Sequence, residues 1–107
     1  MNTDTQSSLK NLYDLFVKYR AAQIYYSHGN GCSFSFVLNT KDIHYRTAPV
    51  CEIIIHSGSN CLILKDAFKD KSGEMISQKI EYSYDTTGNE CNVEISIGSL
   101  SFSALLF

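Results

Sequence analysis

With 107 residues, 44% of them hydrophobic, the chain is long enough to bury one modest core and too apolar to stay disordered. Nine lysines and arginines against eleven aspartates and glutamates leave a net charge of -2, which argues against a broad electrostatic grip on nucleic acid. No apolar run approaches a membrane span. The opening Met1-Asn2-Thr3-Asp4 lacks the basic-then-apolar pattern of a secretion signal, so the expectation is one cytoplasmic domain, 1–107, with no membrane or nucleic-acid partner.

Along the chain, residues from about Ser7 to Ala22 read as an amphipathic helix. Leu9, Leu12, Leu15, Phe16 and Tyr19 recur at helical spacing, with Lys10, Asn11, Asp14 and Lys18 opposite them. Ser7 or Ser8 suits its start. Its end is open to two readings. The helix continues to Ser27 and is capped by His28-Gly29, or Ile24 to Ser27 form a strand that turns at Asn30-Gly31.

From Cys32 to Leu38, alternate Phe34, Phe36 and Leu38 mark a strand with one buried face. Two further strands, Ile43–Thr47 and Val50–His56, flank the only proline, Pro49, and the turn over Ser57–Asn60 adds a third. The implied register opposes Tyr45 to Ile53, Ile43 to Ile55 and Arg46 to Glu52. It continues with Ile53 to Leu64, Glu52 to Lys65, Ile54 to Ile63 and His56 to Cys61. Asp66 to Gly73 reads as a polar loop. The segment Asp70-Lys71-Ser72-Gly73-Glu74 echoes a calcium loop, but it lacks the glycine that such a loop needs, and a strand follows it.

The last stretch, Met75 to Leu106, alternates apolar and polar residues almost throughout: Ile80, Tyr82, Tyr84, then Cys91, Val93, Ile95, Ile97, then Leu100, Phe102, Ala104, Leu106. Gly98-Ser99 suits a type II′ turn and opposes Ile95 to Phe102 and Val93 to Ala104. A four-residue corner, Thr86 to Asn89, opposes Tyr84 to Cys91, Tyr82 to Val93 and Ile80 to Ile95. Helix followed by strands predicts an α+β domain: one N-terminal helix on the apolar face of a curved, mainly antiparallel sheet of five to seven strands.

The four cysteines, Cys32, Cys51, Cys61 and Cys91, are widely spaced and include no Cys-x-x-Cys, so no disulfide framework, metal site or cofactor is expected. Cys32, Cys51 and Cys91 fall in phase with apolar neighbours and read as small hydrophobes.

Functional residues are sought on the face turned away from the helix. There the register sets Glu81 opposite Glu94 and Asp85 opposite Glu90, with Ser83 beside Asn92, Ser96 beside Ser101 and Ser103 beside Glu94. Directly opposed like charges destabilise a sheet, so folding does not call for them. One reading makes this acidic, serine-rich face the docking surface of a basic protein partner; the other makes it a solvated face with Lys79 partly neutralising it. A small acidic inhibitor or immunity-type protein that blocks a nuclease toxin fits the first. Asp42, His56 and Cys61 fall in one outward row across three strands, the residue types of an activated thiolate. A small hydrolase or ribonuclease using His56 with Cys61 or a basic residue is therefore the enzymatic alternative. Outward Ile54, Ile63, Leu105 and Phe107 leave a third alternative, a homodimer or a subunit of a larger assembly.

Overall fold

The structure, a computed structural model, describes residues 5–28 and 31–107, without the side chains of residues 5–7, 28 and 32. The readings of Met1–Asp4, of Ser7 as a cap, of His28 as a side chain, of the Asn30-Gly31 dipeptide and of Cys32 as a buried thiol lie outside the described residues. Among the described residues, one helix and ten strands build an α+β fold with antiparallel sheets.

Helix α1 spans Thr5–Phe16. Leu9, Leu12 and Phe16 are fully buried on one face, which is the stripe the sequence predicts. The helix ends six residues earlier than Ala22 because its backbone finds better partners there. Lys18 and Tyr19 N–H groups donate to the carbonyls of Leu15 and Phe16, tightening the last turn. The next amides, of Arg20 and Ala21, both donate to the Phe107 carbonyl at 2.9 Å. Strand β1, Ala21–His28, follows, so the strand reading of Ile24–Ser27 is the correct one. Buried Ala22 and Ile24 gain more in the sheet than helix propensity offers.

Strand β1 pairs with β2, Cys32–Asn39, and lies beside the C-terminal strand. The small meander follows: β3, Asp42–Arg46; β4, Glu52–Ser57; and β5, Asn60–Lys65. Every expected pair in it is formed, from Asp42 opposite His56 to Glu52 opposite Lys65. The expected polar loop, Asp66 to Gly73, instead contributes strand β6, Ala67–Lys69, which pairs with β7, Met75–Ser77. Asp70 organises its turn: Oδ1 accepts from Ser72 Oγ at 2.7 Å and from the Ser72 and Glu74 amides at 2.9 Å. These donors hold the Asp70 carboxyl below its ordinary range. They also explain the calcium-loop echo, because an aspartate that caps its own turn needs the same local spacing.

The C-terminal meander comprises β8, Ile80–Thr87; β9, Glu90–Ile97; and β10, Leu100–Leu106. The β9–β10 register is the expected one. The β8–β9 register is displaced by two residues: Ile80 faces Ile97, Tyr82 faces Ile95, Tyr84 faces Val93 and Thr86 faces Cys91. The cause is the turn. Gly88 adopts a φ of 61°, Asn89 does not turn positive, and the pair closes a two-residue type II′ turn like Gly98-Ser99. Thr86 and Thr87, β-branched and content when extended, become strand residues instead of corner residues.

The single sheet expected from the pattern is therefore three: five strands in the order β2-β1-β10-β9-β8, three in the order β3-β4-β5, and the β6-β7 hairpin. Leu9, Leu12 and Phe16 of the helix join Ile53 and Ile55 of the small sheet and Ile80, Val93 and Ile95 of the large one in one core cluster. At ~25 cal/mol per Å² of apolar surface, that shared burial is the main force holding the layers together.

Candidate functional site

Alternation in β8, β9 and β10 turns one set of residues into the core and the other outward. Cys91, Val93, Ile95 and Ile97 are buried, while Glu90, Asn92 and Glu94 between them are exposed. Because a two-residue slip preserves side-chain parity, all eight expected docking residues still share the outer face of the five-stranded sheet: Glu81, Ser83, Asp85, Glu90, Asn92, Glu94, Ser101 and Ser103.

Their partners differ from expectation. Glu81 lies opposite Ser96, Glu94 lies between Ser83 and Ser103, Asp85 lies opposite Asn92, and Glu90 lies opposite Thr87. The opposed carboxylate pairs Glu81/Glu94 and Asp85/Glu90 are not formed, nor is Ser83 beside Asn92. Glu81 and Glu94 are diagonal neighbours, which at ~7–8 Å on a wet surface repel only weakly. Lys79 Nζ stands 3.3 Å from Glu81, and the Asn92 amide donates to Glu94 at 3.4 Å. Both contacts relieve the charge.

Across the whole sheet the outer face has two halves. One row runs Ser35, Tyr25, Ser103, Glu94, Ser83 over all five strands; the next runs Val37, Gln23, Leu105, Asn92, Asp85. The acids occupy β8 and β9. Tyr25, 48% exposed, and Val37, 50% exposed, stand on β1 and β2. Sequence reasoning missed Tyr25 because the end of the helix was undecided, and passed over Val37 although the parity of its strand already turned it outward. The signal was present in Gln23, Tyr25 and Ser27 alternating with Ala22, Ile24 and Tyr26.

The chain matches no known protein family, no curated protein and no solved structure. What it can do must be read from its own chemistry.

The row Asp42, His56, Cys61 is formed on the small sheet, but its groups are engaged differently from a thiolate relay. Asp42 Oδ1 is 2.6 Å from His44 Nε2, so the carboxylate orients His44 and not His56. A depression of about 480 Å³ takes in His44, His56, Arg46 and Tyr13, without Cys61. Two imidazoles thus share one concavity, since His44 opposite Ile54 and His56 opposite Asp42 are diagonal neighbours on one face. Ile54 is itself outward yet buried at 7% exposure, whereas Ile63 beside it is 49% exposed. Arg46 Nε binds the Glu52 carboxylate at 3.1 Å, and this pairing lets Glu52 sit buried in the ladder. Among the described residues, no three His, Cys, Asp or Glu side chains cluster as a metal site requires, and no helix is long and apolar enough to cross a membrane.

Proposed function

We propose that this chain is a non-enzymatic protein-binding domain that docks a basic protein surface on the outer face of its five-stranded sheet. The observation that carries the reading is the grading of that face. Glu81, Asp85, Glu90 and Glu94 gather on two neighbouring strands, and exposed Tyr25 and Val37 continue the same surface. Complementary charge steers and orients an encounter, and an exposed aromatic anchors it. A rigid, acidic platform of this kind suits an inhibitor or immunity-type protein that covers a cationic active site, such as that of a nuclease toxin, because blocking such a site requires shape and charge and no catalytic group.

The test is capture of partners from the source lysate at about 50 and about 500 mM salt. A basic protein should be retained at low salt and released at high salt. The variant combining Asp85→Asn, Glu81→Gln and Glu94→Gln should retain ~10-fold less of it. Capture that is indifferent to both salt and neutralisation would sink the proposal and favour a subunit of a larger assembly.

The depression holding His44 and His56 favours a second reading, acid–base hydrolysis with Arg46 as the cationic residue. It requires cleavage of a single-stranded RNA oligonucleotide that His56→Ala and His44→Ala each abolish.

A further inference from the structure

A separate cavity of about 660 Å³ opens between the two larger sheets, walled by Phe34 and Phe36 of β2, Phe102 of β10, Phe68 of β6 and four consecutive residues of β5, from Leu62 to Lys65. Successive strand residues point to opposite faces, so a cavity that touches both parities runs along the strand's edge. Among the described residues, the only ladder partner of β5 is β4, which leaves its other edge unpaired.

The phase of the ladder decides which backbone groups face the cavity. The Asp66 amide donates to the Cys51 carbonyl at 3.1 Å. The two-residue turn at Gly58, whose φ is 61°, closes Ser57 on Asn60 in the same phase. Ile53–Leu64 and Ile55–Leu62 are therefore hydrogen-bonded pairs, and Glu52–Lys65 and Ile54–Ile63 are not. The N–H and C=O of Ile63 and Lys65 consequently turn away from β4. Independent support comes from Gln78, whose side-chain amide donates to the Lys65 carbonyl at 2.9 Å, standing in for a strand that is not there.

Charge adds a second requirement. Lys65 faces Glu52 across the ladder, but that carboxylate is held by Arg46. Among the described residues, the Lys65 ammonium has no ion pair.

The geometry points to the open edge of β5 as a binding site for an extended peptide segment, apolar at alternate positions and carrying one acidic residue placed to meet Lys65. A hydrocarbon ligand would fill the aromatic walls but leave the edge amides unmet, whereas an added strand satisfies both. A second copy of the chain would bring Asn60–Lys65 against itself, a stretch without a carboxylate. Docking would also cover Phe34, Ile63 and Phe68, which are 53%, 49% and 43% exposed. At ~3.3 Å per residue, Leu62 to Lys65 accommodates a segment of about four to six residues. The site lies on the inner side of β2 and β10, away from the acidic outer face, and stands whether or not that face docks a partner.

Fluorescence anisotropy of the full chain with labelled heptapeptides tests this. The peptides alternate valine and threonine, with aspartate at one or another of the threonine positions, and amide hydrogen exchange is read alongside by NMR. At least one peptide should bind in the micromolar range. Binding should add ~10-fold protection or more at the Ile63 and Lys65 amides. Lys65→Glu should weaken binding ~10-fold, and Lys65→Gln gives the same comparison if the acidic variant misfolds. The proposal is overturned if no peptide binds at about 1 mM, or if binding leaves both amides unprotected and ignores the Lys65 change. It is equally overturned if dodecanoate alone fills the cavity, or if the chain dimerises through the same amides.

Discussion

The β3–β5 and β8–β10 meanders are assembled from the same parts, three antiparallel strands joined by short turns, yet they treat water differently. In β9, burial alternates residue by residue, so one face is dry and the other wet. In β4, Glu52, Ile53, Ile54 and Ile55 are all buried, although its sheet has just three strands. Among the described residues, the large sheet ends at β2 and β8 and the small one at β3 and β5, and the β5 edge lies beside an apolar cavity. The wet side of a strand is thus set by what packs around its sheet, and its own pattern gives only parity. The molecule accordingly offers two surfaces of opposite kind: a broad acidic face and a narrow apolar edge.

The sharpest way to break this contrast is within one hairpin. Ile53→Ala, at a position with 0% exposure, should cost ~2–5 kcal/mol, and Ile63→Ala on the open edge under ~1 kcal/mol. Urea denaturation measures both, and equal losses would mean that β5 is covered. Next come the turns. Gly58→Ala and Gly98→Ala both force alanine into positive φ, at a cost of ~1–2 kcal/mol. The second should cost more, because the new methyl would stand 3.2 Å from the Gln78 side-chain oxygen while Gly58 has open space around it. The same unfolding midpoints rank them.

Each region also carries a tyrosine with a perturbed hydroxyl. Burial, with Cys51 nearby, raises Tyr45 above 10.0, and burial, with Tyr84 nearby, raises Tyr82. A folded-state pKa above the unfolded one contributes stability that is complete below the unfolded value and lost as pH rises through the folded one. The protein should therefore weaken above about pH 10, and the part of the tyrosinate absorbance that Tyr45→Phe and Tyr82→Phe remove should rise together with loss of the fold. Coincidence of the two signals is the check; ionisation of both groups in an intact fold would contradict their burial. The smallest effect belongs to the acidic face. Glu81→Gln with Glu94→Gln should move stability by less than ~0.5 kcal/mol, since neither carboxylate opposes the other. A clear gain in the urea midpoint would restore the opposed register.

Much of this was legible in the residues. The small meander's register follows from Pro49 and Gly58-Ser59, which fix where the chain reverses. In β8–β9, by contrast, Thr86 and Thr87 serve equally as corner or strand, and only their pairing with Cys91 and Glu90 decides it. The shared outer side of Glu81, Ser83, Asp85, Glu90, Asn92, Glu94, Ser101 and Ser103 survived that ambiguity because it depends on parity alone. The register also makes His44 and His56 diagonal neighbours, but only the packed sheet shows that one depression takes in both.

Alternation, turn glycines and one helical stripe by themselves determined an α+β chain with antiparallel strands and the side on which each residue lies. These are local properties, set by backbone sterics and the period of each element. Tertiary structure alone decided where the helix stops, how the strands divide into separate sheets and which edge stays bare. Those outcomes turn on competition between distant partners, such as Phe107 capturing the amides of Arg20 and Ala21, and no local pattern carries the energy of a contact made so far along the chain.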